Sequence, residues 1–200
     1  MNTQKKTTTK IRRSILATSF VFLAVSYGGW VYETMLGMLT RGVFSDRGFL
    51  RLPFCPIYGG VACVVGLLLG TPKEGNLVKG IACLAHRYGW TDGVARAVRY
   101  VGYFLLSVLL ATATELFIGL LFRRLGYDLW SYASEPYNFK GVICPAVSIC
   151  WGFLLTIGMR YPYTWIMRLA DSAPTKTLAI PSVLLLTAML ADFIFCLFGL

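Results

Sequence analysis

Asp46-Arg47-Gly48-Phe49-Leu50-Arg51-Leu52-Pro53-Phe54-Cys55-Pro56-Ile57-Tyr58-Gly59-Gly60 carries a basic, aromatic, proline-broken loop straight into a glycine-studded apolar helix. A second stretch, Trp130-Ser131-Tyr132-Ala133-Ser134-Glu135-Pro136-Tyr137-Asn138-Phe139-Lys140-Gly141-Val142-Ile143-Cys144-Pro145, repeats the plan: a basic residue, a glycine, apolar residues, then Cys-Pro. Proline suits the first position of a helix, where its missing N–H is no loss. Cys55 and Cys144 therefore each fall where an N-cap residue sits. The two loops read as matched re-entries into apolar helices.

The rest of the composition says what those helices are embedded in. A chain of 200 residues that is 56% hydrophobic and 14% charged, with mean hydropathy +0.65, carries more apolar surface than a core of its size hides. It reads as an all-α, integral membrane helical bundle. A formal charge of +10 would point to nucleic acid in a soluble chain, but here the 19 Lys and Arg fall between apolar runs. Membrane topology accounts for them without a nucleic-acid partner. Cys63, Cys83, Cys150 and Cys196 lie in or beside apolar segments and read as small packing residues.

Taken in order, residues 1–13 read as a disordered basic cytoplasmic tail and residues 14–200 as a single transmembrane helical domain. About five transmembrane helices are expected, at 15–39, 56–69, 100–122, 142–158 and 178–200, the first too long for a cleaved signal peptide. The basic segment Gly70 to Arg99 suits one or two amphipathic helices on the membrane surface. Tyr161, Tyr163 and Trp165 read as interfacial aromatics. With the N-terminus in the cytoplasm, thirteen Lys and Arg fall inside and six outside, which sets the orientation by the positive-inside rule. Both Cys-Pro entrances then lie at the outer face. Helices 1 and 2, and helices 3 and 4, would form two parallel two-helix repeats, followed by a fifth helix.

Three acids interrupt the spans. Glu33 lies about 30 Å, and Glu115 and Asp192 about 24 Å, along their helices from the nearest inner basic residue. All three belong to the outer half, where an ionised carboxylate is costly unless it is paired, protonated or wetted. Each either holds a loop arginine such as Arg41 or Arg47, or serves a ligand. Asn138 can cap the following helix or line a polar pocket, and Tyr58, Trp130, Tyr132 and Tyr137 suit interfacial anchors. Cys55 and Cys144 allow a disulfide, a reactive thiol site, or plain N-cap positions. The lone histidine, His86, has no second ligand nearby, so no metal or cofactor is expected. Gly70-Thr71-Pro72-Lys73-Glu74-Gly75 is followed by Asn76 rather than the Lys-Ser/Thr of a nucleotide loop, so ATP hydrolysis by this chain is not expected.

Gly29-Trp30 with Glu33, Arg47-Gly48-Phe49-Leu50 leading to Pro53 and Cys55-Pro56-Ile57-Tyr58-Gly59, Glu115, and Trp130 with Tyr132, Pro136, Asn138, Gly141, Ile143-Cys144, Ser148 and Trp151-Gly152 resemble the bacterial CmpB-like family of ABC-transporter type IV proteins. Asp46, Leu52 and Ser131 depart from the family's pattern. The resemblance implies a permease-like, multi-pass protein of the bacterial cytoplasmic membrane.

Three functions are compatible with these residues. The first is a transport component that binds a small solute or ion in an outward-facing pocket lined by Glu33, Arg47, Tyr58, Glu115, Trp130, Tyr132 and Asn138. A separate ATPase subunit would dock on the Gly70–Arg99 segment. The second is a membrane-embedded enzyme acting on a lipid or thiol at the outer interface through a carboxylate and Cys55 or Cys144. The third is a structural or signalling partner. The lipid bilayer is the first partner in each case, and a homodimer suits the size.

Overall fold

The computed structural model describes residues 2–42, 44 and 48–199, with side chains from residue 13 onward except at residue 41. Asp46 and Arg47 lie outside the described residues. Among the described residues seven helices follow one another: α1 (Asn2–Arg41), α2 (Pro56–Leu68), α3 (Asn76–Tyr88), α4 (Asp92–Arg124), α5 (Pro145–Arg160), α6 (Pro162–Ser172) and α7 (Thr175–Phe198). Among the described residues there is no strand, only a bridge between Phe139 and Ile143. The chain forms two compact units, one of Met1–Cys63 with Trp165–Leu200 and one of Val64–Thr164.

Among the described residues three helical stretches are long and apolar enough to cross a membrane: Arg13–Thr40 of α1, α4 and α7. The other two expected spans, α2 with 13 residues and α5 with 16, are about 20 and 24 Å long at 1.5 Å per residue. Each is short of the roughly 30 Å hydrocarbon layer. α2 stops because Gly70 turns left-handed at φ 79, and its N–H returns to the Val65 and Gly66 carbonyls at 3.2 and 3.1 Å. α5 stops before Pro162, which cannot continue a helix but can start one.

The helix so started, α6, is absent from the sequence reading, which took its aromatics as interfacial anchors. The segment expected to be a disordered tail is helix from Asn2. No Gly or Pro interrupts Asn2–Tyr27, so the helix set up on the apolar run propagates outward through Lys, Arg and Gln. Of the two surface helices allowed for Gly70–Arg99, one forms. α3 ends on Gly89, and Asp92–Arg99 is the start of α4, capped by the Thr91 hydroxyl, which accepts from the Val94 N–H at 3.4 Å.

α4 shows the solvent for which the chain is built. Its buried face carries Tyr103, Ser107, Ala111, Glu115 and Gly119, four residues apart, while Leu105, Leu109 and Phe117 are exposed. Small and polar residues inside with large apolar ones outside is the arrangement that lipid favours. This is a membrane protein. Within its unit, Gly152 of α5 packs so closely on α4 that an added Cβ would strike Val108 and Phe104. The Tyr103 hydroxyl donates to the Gly70 carbonyl at 2.8 Å, tying the end of α2 to α4.

In the other unit α1 packs on α7. Leu23, Leu50, Phe54 and Met189 form one core cluster, and Ala17, Ala170 and Leu178 another. Gly59 of α2 lies against the Phe22 carbonyl and Ser26, and the Cys55 N–H donates to the Ser26 carbonyl at 2.9 Å. Arg13 donates to the carbonyls of Asp171 and Ala173. Asp192 holds the first loop, accepting from the Leu52 N–H at 2.8 Å, with the Cys196 thiol at 3.8 Å.

Gly152→Leu is expected to lower stability by about 1–3 kcal/mol through overpacking, whereas Gly158→Leu, where nothing lies within 4 Å, leaves it unchanged; thermal unfolding in detergent compares them. Asp192→Ala removes a hydrogen bond to a carboxylate. The Leu52 amide should then exchange about tenfold faster or more, read by hydrogen–deuterium exchange.

Candidate functional site

Each unit carries a carboxylate on an apolar helix and supplies it with a tyrosine from elsewhere in the chain. In the first unit Glu33 sits in the last third of α1. Pro56 opens α2, and the Cys55 carbonyl accepts from the Tyr58 N–H at 3.1 Å, which fixes the first turn. From that turn the Tyr58 hydroxyl donates to Glu33 Oε1 at 2.5 Å. Gly29, one turn before Glu33, makes room: an added Cβ there would strike the Tyr58 ring. The Tyr32 ring meets the Tyr58 ring edge-on at 6.2 Å. Glu33 and Tyr58 are both half-buried.

In the second unit Glu115 is 2% exposed, and Tyr132, in the loop between α4 and α5, donates to its Oε1 at 2.9 Å. That loop is a built object. Trp130 donates its indole N–H to the Val142 carbonyl at 2.9 Å, and its ring and Val142 close over Gly119, where a Cβ would collide. The Tyr132 N–H reaches the Gly141 carbonyl at 2.9 Å. Asn138 spends its whole amide on the loop backbone: its NH2 donates to the Glu135 carbonyl at 2.8 Å and the Ala133 carbonyl at 3.3 Å, and its oxygen accepts from the Gly141 N–H at 2.9 Å. Those bonds sustain a tight return in which Tyr137, Lys140 and Gly141 have φ of 57, 54 and 65. Arg123 clamps the base, pairing with Asp128 at 2.7 Å and donating to the carbonyls of Lys140 and Gly141.

The expected site residues thus divide by task. Glu33 with Tyr58, and Glu115 with Tyr132, form two carboxylate–phenol pairs. Trp130 and Asn138 shape the loop that carries Tyr132. Arg47 lies outside the described residues. Arg123, which anchors that loop, was read from sequence only as an outer basic residue. Its place in the last turn of α4 and its distance from Asp128 in sequence were the available signals.

Cys55 and Cys144 are buried at the helix entrances, and all six cysteines are thiols. Cys144 is the N-cap of α5 in extended backbone, without a side-chain capping bond. Cys83 and Cys150 are exposed rather than packed. Among the described residues no three of His, Cys, Asp and Glu gather as metal ligands.

Neither a curated protein nor a solved structure matches the chain. One family model does, over residues 20–197, and its description is "Putative ABC-transporter type IV". That match takes in both loop entrances, both carboxylate–tyrosine pairs and Asp192, and the chain belongs to this family.

Proposed function

We propose that the chain is the permease-like membrane component of a transport system in the bacterial cytoplasmic membrane, with its N-terminus inside, and that its carboxylate–tyrosine pairs bind a small cation or cationic solute. The observation that carries this reading is the recurrence of one device in both units. A carboxylate on an apolar helix is costly to keep unless it is paired, protonated or wetted. Two units each maintaining such a group at that cost support a binding role for the pairs. Carboxylate and phenol oxygens together suit a hard cation or an ammonium group. The excess of basic residues on one set of loops supports an outward-facing site.

Family membership supports a transport role. Since the chain lacks a nucleotide loop, a separate ATPase subunit would provide the energy, docking on the segment that contains α3.

Proteoliposomes carrying fluorescent cation and pH reporters test the site. Wild-type protein is expected to dissipate an imposed cation gradient, and Glu33→Gln with Glu115→Gln to reduce that flux tenfold or more. Tyr132→Phe removes a hydrogen bond to a charged group, of about 1.5–3 kcal/mol, and should weaken apparent affinity about tenfold or more. Equal flux in the wild type and the double glutamine variant would remove the carboxylates from the reading. Affinity purification from native membranes tests the coupling: an ATP-hydrolysing subunit should copurify, and lose its hold when Lys79 and Arg87 are replaced by Glu.

A further inference from the structure

α3 and the start of α4 enclose a cleft unrelated to either carboxylate pair. It has a volume of about 250 Å³ and is lined by Val78, Ile81, Ala82 and Ala95, with Asp92, Arg96 and Arg99 as its charged groups. At about 30 Å³ per water it has room for a phosphate-sized group. Ile81 is buried against α4, with its Cδ1 3.9 Å from where a Cβ on Gly102 would stand, and it forms the cleft's apolar floor.

Arg99 is half-buried and its guanidinium lies 5.4 Å from the centre of the Tyr100 ring. Its Nε is buried and has no hydrogen-bond acceptor. A buried charged donor without an acceptor is costly, and a lined cleft beside it is a place for the acceptor to come from.

The cleft's position in the chain selects that acceptor. Arg96 and Arg99 occupy the last turn before the apolar run that begins at Tyr100, the depth at which headgroup phosphates lie. On α3, Leu84 and Tyr88 are exposed, and Tyr88 stacks on Trp90 at 6.4 Å, as suits a helix resting in the interface. Across Gly70–Arg99 five Lys and Arg stand against Glu74 and Asp92. Asp92 opposes an anion, but it is in the first turn of α4, where the helix dipole partly offsets its charge, and two arginines outweigh it.

We infer that the α3–α4 cleft is a binding site for the phosphate of an anionic phospholipid headgroup, held between Arg96 and Arg99. Bound there, the lipid supplies the acceptor for Arg99 and fastens α3 to the membrane-spanning helix.

The test uses the full chain in phosphatidylcholine nanodiscs, with and without phosphatidylglycerol, extracted into detergent and analysed by native mass spectrometry. Wild-type protein should retain phosphatidylglycerol, unaffected by excess inorganic phosphate. With each basic residue near the surface giving about 1 kcal/mol, or about fivefold, Arg96→Gln with Arg99→Gln should reduce retention about 25-fold. Ala82→Phe, which fills the cleft without altering charge, should reduce it as well, and covers the case in which the double variant fails to fold. Lys79→Gln with Arg87→Gln, on α3 outside the cleft, should leave retention within a few-fold of wild type. Undiminished retention in the double glutamine or Ala82→Phe variant would overturn the site. So would displacement of the lipid by inorganic phosphate, which would make free phosphate the ligand, or equal retention of phosphatidylcholine, which would make the contact apolar.

Discussion

A carboxylate carried on a lipid-facing helix needs hydrogen-bond donors that the bilayer cannot supply, and meeting that need organises much of this molecule. In water an unsatisfied Glu is hydrated at no cost; in hydrocarbon it must find its partners inside the protein. Tyr58 reaches Glu33 because Pro56 opens α2 beside α1. Tyr132 reaches Glu115 because an entire loop is folded to bring it there. Asp192 finds a backbone N–H at Leu52 instead. The loops are therefore the polar interior of the protein, and they determine the geometry of anything that binds to the acids.

The two loops reach the same end by different means. In the first, the tyrosine rides on the re-entering helix itself, so its position follows from a proline, a carbonyl and the space left by Gly29. In the second, the tyrosine precedes the re-entering helix, and an irregular backbone has to be held by Arg123, Trp130 and Asn138. Regular structure satisfies its own backbone groups, whereas irregular structure must borrow donors and acceptors from side chains. That is why the second loop consumes so many polar side chains that composition alone would assign to a pocket.

Much of this was legible in the chain. Long apolar runs announce α1, α4 and α7, and Cys-Pro announces the entrances of α2 and α5, because helix periodicity and proline chemistry are local. The acids' partners were not legible. Charge pointed to Arg41 and Arg47, of which Arg47 and the Arg41 side chain lie outside the described residues; the donors described are two phenols and a backbone amide, 25, 17 and 140 residues away in sequence. Nothing local encodes such pairings. The shortness of α2 and α5 was missed for a related reason: Gly70 and Pro162 end them, but an apolar count takes no account of where a backbone turns. α6 was lost to the same cause, since its aromatics fit an interfacial belt as well as they fit a helix.

The separations in sequence also dictate an order of events as the chain leaves the ribosome. Unit 2 is one continuous segment, Val64–Thr164, and its Arg123–Asp128 and Tyr132–Glu115 closures span 5 and 17 residues. They can form while synthesis is still under way. The ties from Arg13 to Asp171 and from Leu52 to Asp192 span 158 and 140 residues, so these two wait until α6 and α7 emerge, whereas Glu33 and Tyr58, 25 residues apart, can pair once α2 is made. A chain truncated before α7 would thus complete its middle and leave α1 without the helix it packs on.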